Sequence, residues 1–473
     1  MQARYHPLLQ WRRSTAVIAA ATSLLLISAV FLLYSRHSNI DISPIPNAPS
    51  PPSSSNSSVC HVDLDLLRTY ASNSSAEYAR LEISVVRTKN FTGFSDTLDA
   101  PIPTYQTVQL DTENHSELLP EESCTTSVTI YAPVMAPRPN ASHMIFGVAT
   151  STERLYDSLD AFAHWAGGTN AHIVAVVDDE GSVKQSEKRA KELDIRLTVI
   201  QNSDDLLDRY FSLLRTLFER KDELTKWIVL IDDDTFFPSM ENLVQRLSTY
   251  DPTQPQYIGA LTEDIAQMYF GSHMAYGGAG IFLSIPLVQQ LNAVFRNCYD
   301  YKGAGDRMIA RCIYSQTTVK LKWEHGLHQL DLRGDASGFY ESGRPLPLSL
   351  HHWKSWFHAD MVALSKVAAI CGEACLLRRW RLSDDWYLIN GFSVVKYSLP
   401  LQDSISMEQT WDNSKYKGPD PFEYSLGPLR SKDEGKVSFR LKEAIAETDR
   451  VRQIYVRERE KPQVIEVIWK LRH

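Results

Sequence analysis

From His143 onward two hydrophobic rhythms take turns along the chain: short unbroken apolar runs, and longer stretches with apolar residues three and four apart. Residues 144–149 read as a strand closed by Thr150-Ser151. The helix that follows runs through Trp165, with apolar positions at Leu155, Leu159, Phe162 and Ala163 and a Gly167-Gly168 stop. Residues 172–177 form a second strand ended by Asp178-Asp179, 193–200 a third, and 205–218 a long amphipathic helix. Residues 227–231 are apolar throughout, the pattern of a strand buried on both faces. Strands alternating with helices predict a largely parallel, doubly wound α/β sheet. Farther on, 241–247 reads as a helix and 257–261 as a strand. The glycines of 274–283 would let backbone approach a ligand or a neighbouring strand closely, although a tight turn entering a strand is the better account of glycines alone.

The flanks read differently. Residues 59–142 look like a partly ordered lead-in, with some alternation at 79–86 and 126–131. Residues 376–473 look like a small β-rich appendage, with strand patterns at 386–388, 392–397, 437–441 and 464–471 and a charged helical piece at 442–459.

The amino terminus changes the picture. Residues 15–34 carry no charge over a length that can cross a bilayer, with Arg4, Arg12 and Arg13 before them and Arg36 after. The positive-inside bias then makes 1–14 a cytosolic tail and sends the remainder across the membrane. Residues 35–58, rich in Pro, Ser and Asn, read as a disordered stem. Glycosylation sequons start at Asn56, Asn73, Asn90, Asn114 and Asn140, all between that span and the α/β core. Anchor and sequons together predict a single-pass type II protein of the secretory pathway. Six cysteines suit that compartment, and Cys60 with Cys124, Cys298 with Cys312, and Cys371 with Cys375 are candidate pairs. A net charge of -8 over 473 residues gives no basic surface for nucleic acid.

Candidate chemistry starts at Asp232-Asp233-Asp234, directly after the buried 227–231 run. Ligands of open α/β sheets bind outside the carboxyl ends of the strands. Adjacent carboxylates repel one another, and oxygen ligands suit a hard cation such as Mg²⁺ or Mn²⁺ that can bridge a diphosphate. A solvated acidic turn capping the next helix is the competing reading. Asp306 stands where a loop enters an amphipathic helix, so it reads as a helix cap that can still face a cleft. His351 and His352 end a short apolar run. Neighbouring side chains on a strand point to opposite faces, so one of the two is expected in any site.

Taken in order, the anchor, stem, WIVLIDDDTFF strand, MAYGGAGIFLS segment, GAGDRMIARC loop and LSLHHWKSW segment resemble the Fringe-like and core-1 galactosyltransferase-like β-glycosyltransferases (glycosyltransferase family 31-like), the fungal members most of all. The resemblance covers about residues 143–358, inside a domain placed at 143–375. It implies a Rossmann-like GT-A fold, a UDP-sugar donor, Mn²⁺ (Mg²⁺ being possible), and inversion at the anomeric carbon. Carried over by motif, Asp232 and Asp234 would hold the metal and Asp232 and Asp233 the donor. His352 would be the distal metal ligand, with His351 as its neighbouring alternative. Asp306 would be the general base, although the Fringe pattern commonly has two acids where this chain has Gly305-Asp306. Gly277 and Gly278 would lie beside the donor sugar, Thr150 and Arg154 would contact the nucleotide, and Asp178 would lie near the uridine or ribose.

The expected function is an inverting hexosyltransferase of the Golgi membrane, or the ER, acting on a glycan or glycoprotein hydroxyl in the lumen. Its rivals are an inactive lumenal lectin-like or scaffold protein that kept the GT-A fold, and a metal-dependent phosphohydrolase.

Overall fold

A computed structural model describes residues 59–472 except 72, 73, 180, 272, 300, 302–304, 400, 402–406, 413–421, 433 and 434. The expected anchor at 15–34, the stem, and the sequons at Asn56 and Asn73 lie outside the described residues. Among the described residues no helix is long and apolar enough to cross a membrane, and Asn90, Asn114 and Asn140 are exposed.

Seven strands make the first sheet, in the order Leu321–Trp323, Tyr257–Gly259, Ile281–Ser284, Trp227–Ile231, Met144–Thr150, His172–Val177, Arg196–Gln201. Only Ile281–Ser284 runs antiparallel to its neighbours. Every residue of Trp227–Ile231 is buried, which is why that strand carries no polar alternation. Met144–Thr150 has the second strand on one side and the fourth, Trp227–Ile231, on the other. The strand order therefore reverses between them, and the crevice past their carboxyl ends is where such a sheet takes ligands.

Two helices frame that crevice. Ser151 caps Thr152–Ala166 by accepting from the Arg154 N–H, and Asp205 caps Leu206–Arg220 by accepting from the N–H groups of Leu207 and Asp208. The second helix lies so close to the first strand that a Cβ on Gly147 would come within 2.7 Å of Leu217. A side chain at Gly147 would force that leucine methyl to shift.

The flanks depart from expectation. The lead-in and the carboxyl-terminal segment are parts of one nine-stranded sheet: Ser75–Thr88 pairs in parallel with Gln463–Arg472, from Glu77 opposite Gln463 to Val86 opposite Arg472. The charged piece expected to be helical is instead the antiparallel pair Val437–Ala446 and Arg450–Arg457. Arg450 and Arg452 alternate with the buried Val451 and Gln453, the period of a strand, and Gln453 to Val456 are then buried without a break. One hydrophobic core joins both sheets, running from Leu81 and Ile83 through Phe146 and Trp165 to Trp380 and Trp469. All six cysteines are paired as the spacing suggested.

Trp469 is fully buried and donates its indole N–H to Gln453 Oε1 at 2.8 Å. Trp469→Ala is therefore expected to cost about 3–5 kcal/mol of stability in urea unfolding. A loss below about 1 kcal/mol would show that the second sheet does not share the core.

Candidate functional site

The site grows from a conflict. Trp227–Ile231 delivers three carboxylates to the crevice, and Asp233 and Asp234 are buried while Asp232 is partly exposed. Each buried anion needs its own donors, and the fold supplies them from different elements. Arg154, on the first turn of its helix, donates Nε–H to Asp233 Oδ2 at 2.6 Å, and its Nη2 bonds the other oxygen. Thr150, at the end of the first strand, donates its hydroxyl to the same carboxylate. Asp234 accepts from Ser355 Oγ at 2.8 Å and lies 3.0 Å from His351 Nε2. That nitrogen is also 3.2 Å from Asp232 Oδ2.

His351 reaches the triplet through a backbone clasp. Phe236 and Leu350 exchange N–H···O=C bonds of 2.8 Å in both directions, which lays the residue after Leu350 against the strand exit. Gly278 makes room, since a Cβ there would come within 2.1–2.3 Å of the His351 ring. The ring's other nitrogen, Nδ1, faces the Gln329 carbonyl at 3.1 Å. Burial would lower the His351 pKa, but Asp234 and Asp232 raise it well above the ordinary histidine value. Burial likewise works to raise Asp234, and the His351 charge and hydrogen bonds hold it well below the carboxylate range.

His352, the histidine assigned to the metal by resemblance, is less directly aimed. Its Nε2 faces Asp331 Oδ1 and its Nδ1 faces Ser355 Oγ, both at 3.1 Å. Nor do the two histidines point to opposite faces. Their ring centroids are 3.8 Å apart and both line the cleft. The reason is that His352 has a φ of 55°, so the extended backbone ends at Leu350 and strand alternation no longer applies. Ligand atoms of Asp234, His351 and His352 all lie within 4.8 Å of one another. One carboxylate oxygen and two imidazole nitrogens at that spacing fit a divalent cation, and the raised proton affinity of His351 shows where positive charge is favoured.

Across the cleft, Asp306 lies in the first turn of Gly305–Gln316. It is half-buried and accepts backbone N–H bonds from Gly277 at 3.2 Å and Arg307 at 2.7 Å. It has no cationic partner among the described residues. Burial, with Asp232 and Asp331 nearby, pushes its carboxyl up to about 6. Cys298–Cys312 closes the segment that carries it. Asp178 ends His172–Val177, 3.4 Å from Arg209 Nη1. Thus Thr150, Arg154, Asp178, Asp232, Asp233, Asp234, Gly277, Gly278, Asp306 and His352 all line one cleft of about 540 Å³.

Sequence reasoning missed Arg209, Tyr210, Gln329, Asp331 and Ser355. Arg209 and Tyr210 lie on a helix face that reads as core, and Gln329 and Asp331 stand in a loop without a motif. The one available signal was Ser355, four residues past His351 in the same quoted segment.

A family model described as "Protein of unknown function, DUF604" matches residues 266–363, which hold Asp306, Asp331 and both histidines but not the triplet. A stretch of 147 residues, 30% of this chain, is 29% identical to the Beta-1,3-glucosyltransferase of Homo sapiens and spans 28% of that protein's length. Among solved structures, the mannosyltransferase PcManGT from Pyrobaculum calidifontis, in complex with GDP-Man and Mn2+, matches at 15% identity and a TM-score of 0.28. That match covers 40% of this chain and 57% of that one. The glycosyltransferase GlyE of Streptococcus pneumoniae TIGR4 matches at 11% identity and a TM-score of 0.32, over 51% of this chain and 63% of that one. Neither structural likeness is close enough to argue from.

Gly278→Ala would drive a methyl into the buried His351 ring. Unfolding in urea is expected to show a loss of about 1–3 kcal/mol, and a variant as stable as the parent would mean that the ring has room to yield.

Proposed function

We propose that the protein is an inverting, metal-dependent glycosyltransferase of the GT-A type, allied to the Fringe-like and core-1 galactosyltransferase-like enzymes. It would move a hexose or N-acetylhexosamine from a UDP-sugar to a hydroxyl of a glycan or glycoprotein. The observation that carries this reading is convergence. Residues chosen from six separate stretches of sequence, for donor, metal and base, line one cleft at the point where the strand order reverses. The partial identity to a β-1,3-glucosyltransferase points the same way.

In this reading Asp234 and His351 are the principal ligands of a divalent cation, with Asp232 and His352 beside them. Imidazole nitrogen among the donors favours Mn²⁺ over Mg²⁺. When bound, Mn²⁺ supplies positive charge to the departing diphosphate. Arg154 is held by Asp233 yet half-exposed, so it keeps a cationic edge toward the nucleotide phosphates. Asp306 faces the same space from the other side. Its ionised carboxylate takes the proton of the acceptor hydroxyl as that oxygen bonds the anomeric carbon. The bond from that carbon to the diphosphate breaks, and its electron pair leaves with UDP. A single displacement inverts the carbon without a covalent enzyme intermediate. Anchorage by 15–34 and a Golgi or ER lumen complete the proposal, supported by the exposed sequons at Asn90, Asn114 and Asn140.

Two variants separate the roles. Asp234→Ala should lose Mn²⁺-dependent UDP binding in calorimetry. Asp306→Asn should keep that binding while transfer falls roughly 10²–10⁴-fold; wild-type turnover in both variants would refute the assignment. Because a protonated Asp306 cannot accept a proton, the pH profile of kcat/KM should fall about tenfold per unit below about 6 and level off above it. A flat profile through pH 5 would remove Asp306 from the base role.

A further inference from the structure

Tyr210 sits in the first turns of Leu206–Arg220, and its ring is wedged between two glycines. A Cβ added to Gly277 would lie 2.3 Å from the phenol oxygen, and one added to Gly305 would lie 2.6–2.9 Å from ring carbons. A ring so enclosed cannot swing to another rotamer. Its Oη is buried and finds no hydrogen-bond partner among the described residues. Buried hydroxyls are normally satisfied, because leaving one unpaired costs stability.

An unused acceptor close by belongs to the triplet. Asp232 spends Oδ2 on His351 at 3.2 Å and presents Oδ1 3.6 Å from the same absent Cβ of Gly277. No hydrogen bond to Oδ1 is found among the described residues. An unspent donor and an unspent acceptor thus face one another across a residue without a side chain. The ring is clamped, but the terminal torsion of an aspartate is soft and broad. Any adjustment therefore falls to the carboxylate.

We infer that Tyr210 is a positioning residue for the triplet: in the loaded cleft its O–H donates to Asp232 Oδ1 and fixes the carboxylate plane, holding Oδ2 toward Asp234 and His351. This rests on the cleft being the cation and nucleotide site proposed above. Tyr210 itself touches no reacting atom. It also gives Gly277 and Gly305 a purpose in the protein's own packing, since a side chain at either would displace the ring.

Tyr210→Phe removes the hydroxyl and nothing else. Without ligands the variant should melt no lower than the parent, because no hydrogen bond is lost. With Mn²⁺ and UDP its calorimetric affinity should fall roughly tenfold, and the ligand-induced rise in Tm should shrink. A merely structural tyrosine would lower the ligand-free Tm and leave the affinity alone. Either a lower ligand-free Tm or an unchanged Mn²⁺–UDP affinity overturns the inference. If the parent protein takes up neither Mn²⁺ nor UDP, the reading of the cleft fails and this inference with it. If the parent binds both and the Phe variant binds as tightly, only Tyr210 is misassigned.

Discussion

Three neighbouring carboxylates at the exit of a buried strand repel one another, and that repulsion organises the site. Unpaired charge in such a place costs several kcal/mol, so each oxygen must be matched by something brought from elsewhere. Asp233 is neutralised by Arg154 and Thr150 from the first strand and helix, and Asp234 by His351 and Ser355 from a segment over a hundred residues later. Asp232 shares His351. The two backbone bonds between Phe236 and Leu350 join these contributions into one unit. With Asp233 held by a fixed guanidinium, Asp232 and Asp234 share one imidazole between them.

The same field separates the acids of the cleft by role. Asp234, beside a cation, stays ionised far below neutral pH. Asp306 has backbone N–H donors but no cation among the described residues, feels the negative charge of Asp232 and Asp331, and keeps its proton up to about pH 6. Environments that push paired carboxylates apart in this way are what acid–base chemistry near neutrality requires. Neither value comes from aspartate itself; each comes from what stands next to it.

How far this could be seen in the sequence depended on whether the cause was local. The buried strand at 227–231, the first helix and the strand at 172–177 were legible because hydrophobic period and capping residues lie within a few positions of one another. The pairing of Ser75–Thr88 with Gln463–Arg472 was not legible, since nothing near Tyr78 signals a partner such as Val464 at the far end of the chain. The Lys and Glu residues after Leu441 suggested a helix, yet the alternation of Arg450 and Arg452 with Val451 and Gln453 has the period of a strand. The histidine pair misled for a sharper reason. Strand alternation assumes φ below zero, and His352 adopts the left-handed region that few non-glycine residues occupy.

The resemblance puts Gly277 and Gly278 beside the donor sugar; in the structure they line the cleft, and Tyr210 and His351 fill the space of their missing Cβ atoms. Gly305 repeats the pattern with Tyr210. The cleft floor is thus packed protein, with each polar group held in one orientation by a neighbour that could not be larger. Rigid placement of donors lowers the reorganisation needed when charge develops. A larger residue at any of these three positions would displace the Tyr210 or the His351 ring. Small residues here serve the precision of the acids around them, and room for a ligand is a consequence of that arrangement.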